Sequence, residues 1–181
     1  MSAGALVLIG FMGTGKSSAG REVAERLRLE RFDTDEMVTR RFGMPVTRIF
    51  RDFGEAAFRE AETEALASIP AGPSIVIPGG GAILTDVNRA HCRRLGTIAW
   101  LTADEETIFR RVSRRPSRPL LQTENPRATL AELLAARQTL YRELADFEID
   151  TTSLDHAAAA SALIARWHAL VPDAFGAPEN P

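Results

Sequence analysis

Residues 6–17 read Leu-Val-Leu-Ile-Gly-Phe-Met-Gly-Thr-Gly-Lys-Ser, four apolar residues followed by glycines at 10, 13 and 15 and then Lys16 and Ser17. The apolar run Leu6 to Ile9 has the length and branching of a buried strand, and the stretch from Lys16 to Leu29 puts Val23, Ala24 and Leu27 on one helical face. Between strand and helix, Gly10 to Ser17 fits the pattern G-x-x-x-x-G-K-[ST], in the context that gives the pattern its meaning. Glycines let successive backbone N–H groups converge on phosphate, and the start of the helix adds a partial positive charge. Lys16 then reaches the β- and γ-phosphate oxygens, and the Ser17 hydroxyl ligates Mg²⁺. With glycine near 7% of residues, an accidental match somewhere in the chain is roughly a 1% event. A dinucleotide fingerprint starting at Gly13 would need glycine at position 18, where there is Ser18.

Outward from this unit, short apolar runs alternate with stretches of helical period, the pattern of a parallel sheet covered by helices, so the fold class is α/β. Further strands are expected at Arg31–Asp33, Ser74–Ile77, Thr97–Leu101 and Phe147–Thr151. A helix from Glu36 to Phe42 closes at Gly43, and another from Pro45 to Glu64 is interrupted near Gly54. Asp86 is expected to cap a helix to Leu95, and Thr102-Ala-Asp-Glu105 has capping-box spacing for a helix to about Val112. Pro126 suits the first position of a helix to about Leu144. Asp155 caps the last helix, to Leu170, and the tail 172–181 has no periodicity and is expected to be disordered.

The chain has 181 residues, enough for a single domain, here 1–171, with a real core. Its net charge of −2 argues against a protein that lives on nucleic-acid phosphates. Of 22 basic side chains, Lys16 alone is lysine, and it sits inside the glycine-rich motif. Cys92 is the single cysteine, which excludes an internal disulfide or a cysteine-based metal cluster and suits a reducing compartment. The first apolar run, Ala5 to Ile9, is too short for a leader, and nothing approaches the roughly 20 apolar residues of a membrane span. The cytosol is the expected location.

Several side chains are candidates for chemistry. Asp33-Thr34-Asp35 lies at the end of the second strand, and strand C-termini face the ligand crevice of an open parallel sheet. At i and i+2 on an extended backbone both carboxylates point the same way, so one can hold Mg²⁺ while the other takes a proton from an acceptor hydroxyl. The plainer alternative is that Asp35 caps the next helix. Gly79-Gly80-Gly81 ends another strand and suits close approach to a ligand, or a tight turn. Arg59 and Arg137 are lone arginines on helices, by default surface ion-pair partners. Among Arg110, Arg111, Arg114, Arg115 and Arg118, a solvated face explains the first pair, whereas Arg118 lies in a proline-rich connection, placed like a lid arginine. His91, His156 and His168 lack metal-ligand spacing and read as structural.

In this order, GFMGTGKS at 10–17, DTD at 33–35, FR-x-x-E at 58–62, GGGA at 79–82, RPLL at 118–121 and R-x-x-x-Y-R at 137–142 resemble the shikimate kinase family, from Leu6 to about Leu170. The resemblance implies a three-layer α/β/α P-loop kinase fold with a central parallel five-stranded sheet and a mobile lid at about 113–125. It implies that ATP donates its γ-phosphoryl group to the 3-hydroxyl of shikimate. Gly13, Thr14, Gly15, Lys16, Ser17, Ser18 and Arg118 would bind ATP, with Lys16 and Arg118 on the transferring group. Ser17 and Asp33 would hold Mg²⁺, and Asp35 would deprotonate the acceptor. Arg59, Gly80, Gly81 and Arg137 would bind shikimate, forked donors being suited to its carboxylate. A monomer without nucleic-acid or membrane partners is expected. One departure from the family is the loop Thr151-Thr152-Ser153-Leu154-Asp155, where many members carry arginine near the adenine. A gluconate kinase would share the phosphate loop but not the need for paired arginines. A non-catalytic sensing domain would come attached to a DNA-binding module, for which no room is expected before the phosphate loop.

Overall fold

The computed structural model describes residues 4–114 and 123–172. Arg118, the middle of the expected lid and the tail 173–181 lie outside the described residues. Within them, five strands form one parallel sheet: β1 (Ala5–Ile9), β2 (Glu30–Asp33), β3 (Ser74–Ile77), β4 (Gly96–Thr102) and β5 (Phe147–Asp150), in the order β2-β3-β1-β4-β5. Because every strand runs the same way, the residues that follow each of them gather along one edge, with β1 and its glycine loop central.

The helices are α1 (Lys16–Leu27), α2 (Thr34–Phe42), α3 (Val46–Ser68), α4 (Asp86–Leu95), α5 (Glu105–Ser113), α6 (Pro126–Leu144) and α7 (His156–Leu170). They cover both faces of the sheet, and strand alternation sorts the core into two layers. Ala5, Val7, Ile9, Val76, Ile98 and Trp100 face a cluster with Cys92 and Leu95 of α4 and Leu130, Tyr141 and Leu144 of α6. Leu6, Leu8, Ile75, Ile77, Ala99 and Leu101 face Ala19 and Val23 of α1 and Ala159, Ala160, Leu163 and Trp167 of α7. The result is the expected three-layer sandwich. A smaller cluster, Val38, Ile49, Phe58, Ala61 and Ala65, ties α2 to α3 beside the β2 edge.

Helix ends depart from the sequence reading in instructive places. Thr85, not Asp86, caps α4, its hydroxyl accepting from Asn88 N, because the residue one step earlier keeps the extended backbone that a cap requires. Likewise Asp104 caps α5 by accepting from Thr107 N at 2.6 Å, so the expected box from Thr102 does not form. α3 continues to Ser68 rather than Glu64, since Ala65 and Leu66 extend its buried face, and it breaks at Gly54 as expected (φ 84°, ψ 168°). α2 begins at Thr34, two residues early, with Asp33 as its cap.

Candidate active site

The phosphate loop turns on Gly13 (φ 83°) and Gly15 (φ 92°), left-handed conformations that other residues adopt only with strain. Gly15 is the N-cap of α1 and has no side chain to satisfy the first amides of the helix, which leaves a ready anion site. Lys16 is largely buried, its ammonium donating to Gly10 O at 2.7 Å and Phe11 O at 3.0 Å. This loop floors a cleft of about 400 Å³, whose wall includes Gly13 to Ser18, Asp33, Asp35, Arg111, Arg114, Thr151 and Leu154 to His156. That volume suits a nucleotide-sized ligand.

Asp33 and Asp35 both line the cleft, though not by the expected route. Asp35 already lies in α2, so the two carboxylates do not share an extended strand. The cap of α2 is Asp33: its Oδ1 accepts from Asp35 N at 3.1 Å and Glu36 N at 3.4 Å, while Oδ2 accepts from Ser17 Oγ at 3.0 Å. Asp35 is therefore relieved of capping. Burial, then the charge of Asp35, pushes the Asp33 carboxyl above the usual carboxylate range, against the Ser17 hydrogen bond. The Asp33 carboxyl, touching the Ser17 hydroxyl and adjoining a second carboxyl, offers hard oxygen donors of the type Mg²⁺ takes, and a bound cation would favour its ionised form. Among the described residues no group of three or more His, Cys, Asp or Glu side chains is placed to hold a metal ion.

A second cavity, of about 70 Å³, opens beside the first and is lined by Val46, Phe50, Phe58, Arg59, Gly81 and Arg137. Met12, Asp35, Gly79 and Gly80 line both cavities. Arg59 is braced on its own helix by Glu62 (2.8 Å) and Glu55 (3.1 Å). Burial works against its charge, and the two glutamates more than offset this. Arg137 is 4% exposed, lies 5.5 Å from the centre of the Phe11 ring and donates to Gly80 O at 3.4 Å. Tyr141, stacked on Trp100 at 5.9 Å, also donates to Gly80 O, so the glycine turn is pinned while the carbonyl takes only part of the Arg137 fork.

The structure thus gathers Gly13 to Ser18, Asp33, Asp35, Arg59, Gly80, Gly81 and Arg137 around two adjoining cavities. It corrects the reading of Arg111 as solvated: Nη2 donates to Thr151 O at 2.8 Å and Nη1 to Thr151 Oγ1 at 3.1 Å. The sequence reading assigns no role to Glu62, the last residue of the FR-x-x-E motif and fully buried three residues after Arg59, or to Thr151. A glutamate at i+3 from a candidate arginine was an available signal. His156, read as structural, lines the larger cleft.

The model of the shikimate kinase family matches residues 12–167, most of the chain. The chain belongs to the shikimate kinase family. A shikimate kinase of Thermodesulfovibrio yellowstonii is 42% identical over 166 residues, covering 91% of this chain and 95% of that one. One of Ralstonia nicotianae is 45% identical over 152 residues, covering 83% and 80%. Among solved structures, shikimate kinase from Acinetobacter baumannii in complex with shikimate superposes with a TM-score of 0.83 at 33% identity, covering 94% of each chain. The chain is an ATP-using kinase of this family, with the three-layer fold and parallel five-stranded sheet its sequence implied.

Proposed function

We propose that the protein transfers the γ-phosphoryl group of ATP to the 3-hydroxyl of shikimate, giving shikimate 3-phosphate and ADP. The observation that carries this reading is the position of Asp35 on the wall common to a nucleotide-sized cleft and a small cavity flanked by two arginines. Family membership supplies the substrates.

In this reading the amides at the start of α1 and Lys16 receive the phosphates, Lys16 exchanging the Gly10 and Phe11 carbonyls for phosphate oxygens. Ser17 and Asp33 would hold Mg²⁺, which neutralises charge on the β- and γ-phosphates when bound. Arg59 and Arg137, which both line the small cavity, grip the acceptor carboxylate and leave the hydroxyls towards Gly79–Gly80 and Asp35. Asp35 accepts the hydrogen of the 3-hydroxyl and holds its oxygen in line with the γ-phosphorus. The oxygen–phosphorus bond forms as the bond to the leaving ADP breaks, and the proton passes to Asp35. Glu62 positions Arg59 rather than touching substrate. Arg118 would complete the charge stabilisation over the transferring group.

The protein is taken to act as a monomer in the cytosol, without nucleic-acid or membrane partners. Light scattering that returns the mass of one chain, 19.8 kDa, checks the first point. Among the described residues no helix is long and apolar enough to cross a membrane. The function is tested by ADP release from ATP and Mg²⁺ with shikimate, quinate or gluconate as acceptor. Turnover with shikimate well above the other two is expected. Equal or greater turnover with gluconate, in protein that binds ATP, would replace shikimate as the acceptor.

A further inference from the structure

A loop that turns its N–H groups towards a ligand turns its carbonyls the other way, into the protein, where each needs a donor. In this chain Lys16 supplies Gly10 O and Phe11 O. The carbonyls of Gly13 and Thr14 are supplied from elsewhere in the fold. Gly13 O accepts from Arg111 Nη1 at 3.4 Å, and Thr14 O lies 2.9 Å from the hydroxyl of Thr151. Thr151 directly follows β5, is 3% exposed and lines the larger cleft. Its hydroxyl also lies 2.8 Å from Thr102 O, a carbonyl that accepts Thr151 N at 2.8 Å as well, so the one hydroxyl proton is shared between Thr102 O and Thr14 O. Arg111 fixes the rotamer by donating to Oγ1 at 3.1 Å and to the Thr151 carbonyl at 2.8 Å.

We propose that Thr151 is a positioning residue of the nucleotide site. Held by Arg111, its hydroxyl sets the tilt of the Thr14–Gly15 peptide and so the aim of the amides at the start of α1. The same hydroxyl joins the loop after β5 and the end of α5 to the phosphate loop, three segments that meet around one ligand. A threonine with these contacts would serve stability alone if the loop kept its shape without it. What argues otherwise is the conformation it holds: Thr14 is flanked by two left-handed glycines, a backbone with little intrinsic preference for one orientation. Without its donor, the buried Thr14 carbonyl would turn to find another.

The proposal rests on the nucleotide reading of the cleft, and its test separates the two. ATP and shikimate affinities are measured by calorimetry for wild type, Thr151→Val, Thr151→Ala and Thr151→Ser, with melting temperatures alongside. Loss of one buried hydrogen bond predicts ATP affinity weakened about 5- to 100-fold in the Val and Ala variants. Shikimate affinity should stay within about twofold, and Thr151→Ser, which keeps the hydroxyl, should return ATP affinity to within about threefold of wild type. A folded Val or Ala variant with unchanged ATP affinity overturns the proposal. So does a parallel loss for both substrates, or a failure of Thr151→Ser to restore binding. Should neither Val nor Ala fold, Thr151 is a structural residue and the proposal falls. Wild-type protein that binds no ATP would instead sink the nucleotide reading.

Discussion

Replacing Arg137 by lysine keeps its charge and removes its fork. At 4% exposure the guanidinium cannot be replaced by water at little cost, and a compact ammonium cannot make two parallel hydrogen bonds to a carboxylate. One hydrogen bond to a charged group is therefore lost, worth about 1.5–3 kcal/mol. That converts to a KM for shikimate raised roughly 10- to 150-fold. Gly80 O keeps its bond from Tyr141, so the glycine turn and Asp35 should hold their places, and kcat at saturation should fall by less than about fivefold. KM for ATP should stay within about threefold, because Arg137 lines the smaller cavity and not the larger. Initial rates of ADP release over a grid of both substrates, with melting temperatures to exclude unfolding, read all three quantities. A shikimate KM within about twofold of wild type, or ATP and shikimate constants rising together, would refute the placement of the acceptor carboxylate on Arg137.

Other consequences follow from the same geometry. Asp35→Asn keeps the shape of the wall and removes the proton acceptor, so kcat should drop by about 10²- to 10⁴-fold with both substrates still bound, as steady-state rates and calorimetry would show. Burial holds the Glu62 carboxyl above the ordinary carboxylate range despite Arg59, so its ionised form costs stability. That cost is absent below the unfolded-state pKa and sets in as pH rises towards the folded-state value. Glu62→Gln should thus gain melting temperature relative to wild type as pH rises above the ordinary carboxylate value of about 4, while the loosened Arg59 raises KM for shikimate. A variant that loses ground as pH rises would show that Glu62 stabilises the fold as an anion. A methyl at Gly79 would meet Glu62 Oε1 and Asp35 Oδ1, whereas one at Gly81 would meet the Arg59 guanidinium, the movable end of a long side chain. Gly79→Ala should therefore lower both melting temperature and turnover, and Gly81→Ala should chiefly raise KM for shikimate; equal losses of stability in the two would contradict this.

Local features were legible in the chain and contacts between distant segments were not. The unit from Leu6 to Ser17 could be read because strand, turn and helix signals are all carried by neighbours in sequence. Gly43 and Gly54 marked a helix end and a break for the same reason. The pair at 33 and 35 was found with the wrong geometry: its reading assumed a strand through Asp35, but the Asp33 side chain captures the Asp35 and Glu36 amides and starts the helix early. Which aspartate caps and which stays free is decided by those two hydrogen bonds. Arg111 was misread because its partners, Gly13 and Thr151, lie 98 and 40 residues away. Arg137 and Arg59 face one cavity across a similar gap in sequence, and resemblance to the family, not periodicity, had singled them out.

The account stands on Asp35 activating one hydroxyl of a carboxylated acceptor against ATP. The direct measurement is phosphorus and proton NMR of the product made by purified protein from ATP, Mg²⁺ and shikimate, with Asp35→Asn treated alike. The account predicts one phosphomonoester, coupled to the proton on carbon 3 of shikimate, formed with equimolar ADP and all but absent with the variant. Phosphate on another hydroxyl, ADP formed with inorganic phosphate alone, or undiminished product from Asp35→Asn would contradict it.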